Sequence, residues 1–395
     1  MELGKNTLKA YFDWAATAPV DKQIIRESTE IAIKFYGNPS STHFLGTDAK
    51  KILEEARIRC GKALNVPPST IYFTSGGTEA DQIPILSLLQ KPIKGTIIIS
   101  AIEHPAIREQ ASMLTHCGWK VLEVKPDSRG IIAPEAIEKA LTSDTIEICL
   151  MAVNNETGAI QPIYDVADML VKKAKETGKR RPKLHVDCVQ AAGKIPLDLS
   201  HQGIDSAALS SHKLGGPRGI GLLYLAQKID VFVKGGGQEF GIRSGTENIA
   251  GAWALSRCLE KNYMLTDNKA HSAFQRFLEQ KNITEDFITK IKDIAGCSII
   301  PENRSEKDFS PWIVQAAFKG IPGEVLLRSL AEKGIAISTG SACSSKKMSR
   351  PVLEAMGITK EVATNGVRFS FGPTTTREEI SLLVSCLQEI RNHFK

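Results

Sequence analysis

Two stretches of the chain run from an apolar segment straight into residues able to do chemistry: LHVDCVQAAGK (184–194) and ALSSHKLGGPRGIG (208–221). In the first, Asp187 stands at the C-terminal end of the apolar run, the edge at which α/β sheets collect ligand groups. In the second, Ser210, His212 and Lys213 close another run and lead into a glycine-rich loop. A lysine at a strand end, taken alone, reads as a surface residue. The combination changes that reading. A carboxylate that keeps a pyridinium nitrogen protonated and a lysine that forms a Schiff base are the two parts that pyridoxal phosphate chemistry requires. Such a lysine must be desolvated and held near other cations, which lowers its pKa towards that of a usable nucleophile and base.

A phosphate handle is supplied by FTSGGTEA (73–80), which follows an apolar run and opens a helical stretch. The N–H groups of Gly76, Gly77 and Thr78 can then point at an anion from a helix N-terminus. As a lone pattern GGT is weak, because many helices open on Gly-Thr simply for capping. It has neither Walker-loop spacing nor the G-x-G-x-x-G of a dinucleotide site, so nucleotide chemistry drops out. In AIEHPA (101–106), His104 either stacks on a flat ring or merely opens a helix whose first turn holds Pro105; locally the two stand even. In ISTGSACSSKK (337–347), Cys343 is set among small polar residues, as an exposed nucleophile or as a small buried cysteine after a strand.

The elements that must carry these residues follow from periodicity. Strand-length runs rich in Ile, Val, Leu and Tyr occur at 70–76, 95–101, 120–124, 147–153, 183–187, 206–210 and 221–225. They lack strict alternation, as strands buried on both faces do. Helical patterns at 49–64, 104–118, 133–142 and 163–178 separate several of them, with Gly118 and Gly178 where C-caps belong. Strand–helix repetition predicts an α/β domain with a mostly parallel seven-stranded sheet. After about residue 260 strands become fewer and interleave with helices, which predicts a smaller α+β domain. Clefts between such domains are where sites form.

Composition is that of an ordinary globular chain: 395 residues, 42% hydrophobic, 24% charged, formal net charge +6. The basic block KKAKETGKRR (172–181) reads as a solvated helix end, so no nucleic-acid partner is expected. The N-terminal MELGKNTLKAYFDW has neither signal-peptide nor transit character, and no apolar run approaches the ~20 residues of a membrane span. The expected compartment is the cytoplasm, with no membrane partner. Eight scattered cysteines form no CxxC pair or zinc spacing, so reduced thiols and no metal are expected.

Taken together, YFDWAATAPV, GNPSSTHFLG, FTSGGTEA, EHPA, VNNETGAIQPI, HVDCVQAAGKIPLDL, SSHKLGGPRGIGLLY, GGGQEFGIRSGTENI, STGSACSS and GVRFSFGPTTT resemble the cysteine desulfurases, class V aminotransferases of the fold-type I pyridoxal-phosphate enzymes. The resemblance runs from about residue 11 to the C-terminus, with the motifs in the family's order. It implies a fold-type I PLP-dependent transferase, with a large cofactor-binding domain at 15–260 and a small domain formed by 1–14 and 261–395. It also implies roles. Lys213 matches the lysine of the internal aldimine, Asp187 the acid on the pyridinium nitrogen, and Gln190 the partner of the ring hydroxyl. His104 matches the ring-stacking histidine. Thr78, Ser210 and His212 match phosphate ligands, and Gly77 gives close backbone approach. Thr246 matches a threonine that reaches the partner subunit's phosphate, so a homodimer is implied. Asn155 matches an asparagine near the ring hydroxyl and substrate, and Arg368 the clamp on the substrate α-carboxylate. Cys343 matches the loop cysteine that takes sulfur from L-cysteine as a persulfide, leaving L-alanine and passing the sulfur to an acceptor protein for iron–sulfur, thio-cofactor or tRNA biosynthesis.

Two features depart from common members. SSKKMSRPV follows the cysteine where an acidic-Pro element is more usual, and no extended tail follows the last helix; both leave the acceptor open. Trp14 stands where a Tyr is more common, and Arg243 is either an anion contact or a dimer salt bridge. The Cys343 loop resembles the family's long-loop branch, which implies activity without an activator. The alternatives are a selenocysteine lyase or other β-lyase, and a non-enzymatic sulfur-carrier or scaffold paralogue; every residue the chemistry needs is in place, which argues against the latter.

Overall fold

The computed structural model describes residues 7–340 and 350–394. Its strands are β1 (Ala10–Tyr11), β2 (Ile71–Thr74), β3 (Thr96–Ser100), β4 (Lys120–Val124), β5 (Thr145–Cys149), β6 (Lys183–Asp187), β7 (Ser206–Ser210), β8 (Gly221–Leu225), β9 (Cys297–Ile300), β10 (Ile313–Phe318), β11 (Ile335–Ala336) and β12 (Gly366–Ser370). Seven of them form one sheet in the order β2-β8-β7-β6-β5-β3-β4. The pairings from β7 through β4 are parallel, whereas β8 runs antiparallel to both β2 and β7. This is the mixed, mostly parallel sheet of an α/β fold.

The burial explains the missing alternation. Every residue of β2, β3, β7 and β8 is buried, because helices cover both faces. The edge strand β4 instead exposes Lys120 and Glu123, charges that discourage pairing with another chain. Gly178 caps the helix Ile163–Thr177 in the left-handed region at φ 65, as a C-cap glycine should.

The remaining strands form a three-stranded antiparallel sheet, β12-β10-β9, and a parallel pair, β1-β11. The N-terminal segment is thereby tied to the C-terminal elements, and a bridge from Asp13 to Ser370 extends the tie. Two elements depart from the sequence pattern. The fourth run forms its strand over Thr145–Cys149 rather than 147–153: Leu150 to Val153 lie past the strand's end but stay buried, which is why their apolar character mimicked strand. The helix Lys22–Lys34 has Asp21 as its N-cap but buries only Ile24, so its periodicity toward this chain's core is faint.

Across the large sheet's end, Arg57 of the helix Phe44–Leu64 lies buried against Glu239, its Nη1 and Nη2 at 2.7 and 2.8 Å from the two carboxylate oxygens. The rings of Phe73 and Phe240 lie 5.0 Å from the guanidinium. Glu239 and Phe240 both adopt left-handed backbone, φ 47 and 55, in the glycine-rich loop that leads to Thr246.

Candidate active site

The C-terminal ends of β6 and β7 and the N-terminus of the helix Gly77–Ser87 converge on one cleft. Lys213 reaches it from the single turn Ser211–Lys213 that follows β7. Its Nζ donates to the carbonyls of Ala15 and Ala16, both at 2.7 Å. Burial, reinforced by Arg368, lowers the amine to about 8, so a substantial neutral fraction exists near physiological pH. Asp187, the last residue of β6, accepts from the Val189 N–H at 2.8 Å. Burial first, and Asp81 second, push its carboxyl up to about 8. A buried carboxyl so raised favours a cationic partner, which a protonated ring nitrogen would be.

The other end of the cleft suits an anion. The helix Gly77–Ser87 starts from Gly76 with no side chain capping its first-turn N–H groups. Thr78, Ser210 and His212 stand around that turn. Burial, with Lys213 beside it, lowers His212 to about 4, so it is a neutral imidazole that can donate a hydrogen bond; its Nδ1 lies 3.2 Å from Thr17 Oγ1. A Cβ on Gly77 would sit 2.7 Å from Val189 Cγ2, so only glycine lets the two segments approach this closely. His104 does two things at once. Its Nδ1 accepts from the Ala106 N–H at 3.1 Å, which makes it the N-cap of the helix Pro105–His116, and its ring lines the cleft. Burial and Lys213 lower it to about 4, keeping the ring neutral.

Arg368 on β12 approaches from the smaller sheet. It donates to the Asn155 carbonyl at 2.8 Å and pairs with Asp13 at 2.9 Å. Its Nε is buried without an acceptor among the described residues. Asn155 lines the cleft beside it, and Gln190 donates from Nε2 to the Ala15 carbonyl at 2.9 Å.

The cleft therefore brings together Gly77, Thr78, His104, Asn155, Asp187, Gln190, Ser210, His212, Lys213 and Arg368, drawn from segments far apart in sequence. Thr246 is exposed and is no part of its own chain's cleft. Cys343 lies outside the described residues; Gly340, just before it, lines the cleft. Arg243 pairs with Glu79 of its own chain at 3.2 Å. Trp14 packs its ring on Gly372 and lines a neighbouring cavity instead of this one. Cys188 is fully buried and its thiol is pushed up by burial, as a packing residue's would be.

Sequence reasoning missed Asp81, which lines the cleft and lies 3.0 Å from His185 Nε2. The available signal was its spacing, one helical turn beyond Gly77. It also missed Ala15 and Ala16, which act through backbone carbonyls that no side-chain type announces.

A lysine of lowered pKa, a raised buried carboxyl and an uncapped helix start fit pyridoxal phosphate. Lys213 would hold its carbonyl carbon, Asp187 its ring nitrogen, and Thr78, Ser210 and His212 its phosphate. The fold is that of the α/β, fold-type I pyridoxal-phosphate class. The chain belongs to the aminotransferase class-V family, whose model matches residues 10–383. A NifS/IcsS protein homolog of Lactobacillus delbrueckii subsp. bulgaricus is 36% identical over 390 residues, covering 97% of each chain. The cysteine desulfurase IscS of Dictyoglomus turgidum is 33% identical, covering 97% of this chain and 94% of its own. A solved NifS-like protein superposes with a TM-score of 0.87 at 33% identity, over 97% of this chain and 99% of that one. Membership implies dependence on pyridoxal phosphate. Among the described residues no helix is long and apolar enough to cross a membrane.

Proposed function

We propose that the protein is a homodimeric cysteine desulfurase that converts L-cysteine to L-alanine and carries the sulfur as a persulfide on Cys343. The observation that carries the proposal is the convergence of Lys213, Asp187 and Arg368 on one cleft, in a chain whose relatives include cysteine desulfurases. Bound pyridoxal phosphate supplies the electron sink that makes the substrate Cα acidic.

This chain's residues do the rest. Arg368, with its unused Nε, clamps the substrate α-carboxylate, and Asn155 borders the same space. Lys213, whose Nζ lies in the cleft, would take the Cα proton. Its lowered pKa suits a base working near neutrality. Asp187 keeps the ring nitrogen protonated. The Cys343 thiolate then attacks the substrate sulfur: the S–S bond forms, the Cβ–S bond breaks, and its electron pair stays with the substrate carbon framework. Protonation at Cβ and Cα completes alanine.

Thr246, exposed on a loop outside its own cleft, is proposed to reach the phosphate of the partner subunit. Ile33, Tyr36 and Phe44 are exposed at 73, 71 and 74%, apolar surface that a second copy would cover. We assign residues 15–260 to a cofactor-binding domain and 1–14 with 261–395 to a smaller one, a cytoplasmic location, and an acceptor protein in iron–sulfur, thio-cofactor or tRNA biosynthesis. The test is product analysis with L-cysteine and reductant. Equimolar alanine and sulfide are expected from the native chain. Cys343→Ala should keep the cofactor's absorbance and make neither. Pyruvate with ammonia, or full activity in Cys343→Ala, would refute the proposal.

A further inference from the structure

Gln190 and Lys194 belong to the turns that follow β6 and stand in the wall between two cavities. Gln190 lines the candidate active site, Lys194 lines a neighbouring cavity, and Lys213 lines both. Lys194 is only 8% exposed. Its Nζ donates to Gln190 Oε1 at 2.5 Å. Burial, with the cations Lys213 and Arg368 facing it, pushes the Lys194 amine well below the ordinary lysine range, so it stands there as a neutral hydrogen-bond donor with no carboxylate partner among the described residues.

Gln190 is engaged at both ends. Its Nε2 donates at 2.9 Å to the Ala15 carbonyl, which also accepts from Lys213 Nζ at 2.7 Å. A side-chain amide can be turned over, exchanging donor for acceptor with almost no change of shape. Here the turn is opposed by the Ala15 carbonyl, which only accepts, and it would also break the hydrogen bond that Lys194 Nζ donates to Oε1. We propose that Lys194 is a positioning residue: by holding Gln190 Oε1 it fixes the amide with its N–H groups towards the active site, so that a donor and not an acceptor meets the ring hydroxyl oxygen of bound pyridoxal phosphate.

This inference rests on the reading of Gln190 as that oxygen's partner. A hydrogen bond donated to Oε1 from behind polarises the amide and makes its N–H the stronger donor, which favours the oxygen as an oxyanion. An oxyanion held from that side bonds less strongly to the nitrogen that joins Lys213 to the cofactor. That nitrogen then loses its proton at lower pH.

The experiment is a pH titration of the visible absorbance of pyridoxal phosphate bound to the purified dimer, with no substrate present. Lys194→Met should raise the midpoint by about one pH unit, a tenfold change in the proton equilibrium. Gln190→Ala should raise it similarly, and the double variant no further, because Lys194 acts through Gln190. Lys194→Gln, which donates to Oε1 without a charge, should stay nearer the native midpoint, and it serves where Lys194→Met does not fold. An unmoved midpoint in Lys194→Met, or shifts that add in the double variant, overturns the inference. A bound cofactor whose midpoint ignores Gln190→Ala refutes the placement of Gln190 itself. A chain that binds no cofactor refutes the functional reading.

Discussion

Arg57 offers the sharpest test of how the loop before Thr246 is held. Its side chain and that of Glu239 are each 2% exposed, and the pair is a two-pronged fork at 2.7 and 2.8 Å. Arg57 Nη1 also donates to the Ile71 carbonyl at 2.7 Å. Replacing it by leucine leaves the Glu239 carboxylate in apolar surroundings with the Phe73 N–H as its remaining donor, at 2.7 Å. Breaking one side of a buried pair costs about 3–5 kcal/mol. Glutamate can escape by taking a proton, which at pH 7 costs about 3–4 kcal/mol and so caps the loss. Released from its clamp, the loop also loses what holds Glu239 and Phe240 at φ 47 and 55. For 395 residues unfolding with ~2.1 cal/mol/K each, a loss of about 3–4 kcal/mol is a fall of roughly 4–5 °C in Tm. Differential scanning calorimetry on cofactor-free Arg57→Leu, Glu239→Leu and the double variant reads this directly. The double variant should recover more than half the loss of Arg57→Leu, because no charge is then left buried alone. A fall under ~1 °C in Arg57→Leu, or a double variant worse than either single one, would refute the reasoning, since ~1 kcal/mol is what an exposed pair is worth at most.

Two further outcomes follow from the site. The neutral amine of Lys213 is the reactive form, so the rate at which pyridoxal phosphate enters cofactor-free protein should climb through pH about 8, the value to which burial and Arg368 lower it. Arg368→Leu removes a like charge and should move that midpoint upward; stopped-flow absorbance checks both, and an unmoved midpoint refutes the assigned cause. His104→Ala should lose about 1 kcal/mol of stability as a lost N-cap and weaken cofactor binding as well. His104→Asn restores the cap without the ring, so its stability should return while cofactor affinity stays low, as denaturation and equilibrium binding would show.

Much of this site was legible because the chemistry sits on side chains at strand ends. Asp187 and Lys213 follow β6 and β7, whose apolar runs mark their own termini. Gly77 and His104 follow β2 and β3 in the same way. What escaped depends on three-dimensional neighbours that a linear pattern does not encode. The partners of Lys213 are backbone carbonyls of Ala15 and Ala16, almost two hundred residues away in the chain. Arg57 looked like one more charge in a helix of alternating Glu and Arg, and only the packing of the loop at Glu239 buries it. Trp14 gave no sign in the sequence of where its ring would go; the absence of a Cβ at Gly372 lets the ring pack there, beside a neighbouring cavity.

The phosphate end and the ring-nitrogen end of the site share one fastening. His185 and Asp187 are two residues apart on β6 and so lie on one face of the sheet. Asp81 is four residues past Gly77, one turn into the helix that covers that face. His185 Nε2 lies 3.0 Å from Asp81 Oδ1, and His185 Nδ1 lies 2.8 Å from Ser206 Oγ on the adjacent strand β7. Burial pushes Asp81 up and His185 down, so the contact is a hydrogen bond between neutral groups and not an ion pair. Whatever fixes Asp81 on His185 also fixes Gly77 and Thr78 relative to Asp187, the span that one rigid cofactor must bridge. Asp81→Asn keeps a neutral donor of the same shape and should cost under ~1 kcal/mol of stability, with cofactor affinity nearly native. Asp81→Leu leaves His185 Nε2 without its partner, costs about 1–3 kcal/mol, and should weaken cofactor binding tenfold or more as the two ends drift out of register. Equilibrium denaturation and cofactor titration of the two variants separate the cases. A loss of about 3–5 kcal/mol in Asp81→Asn would mean that the pair is ionised, and the account of a neutral fastening would fail.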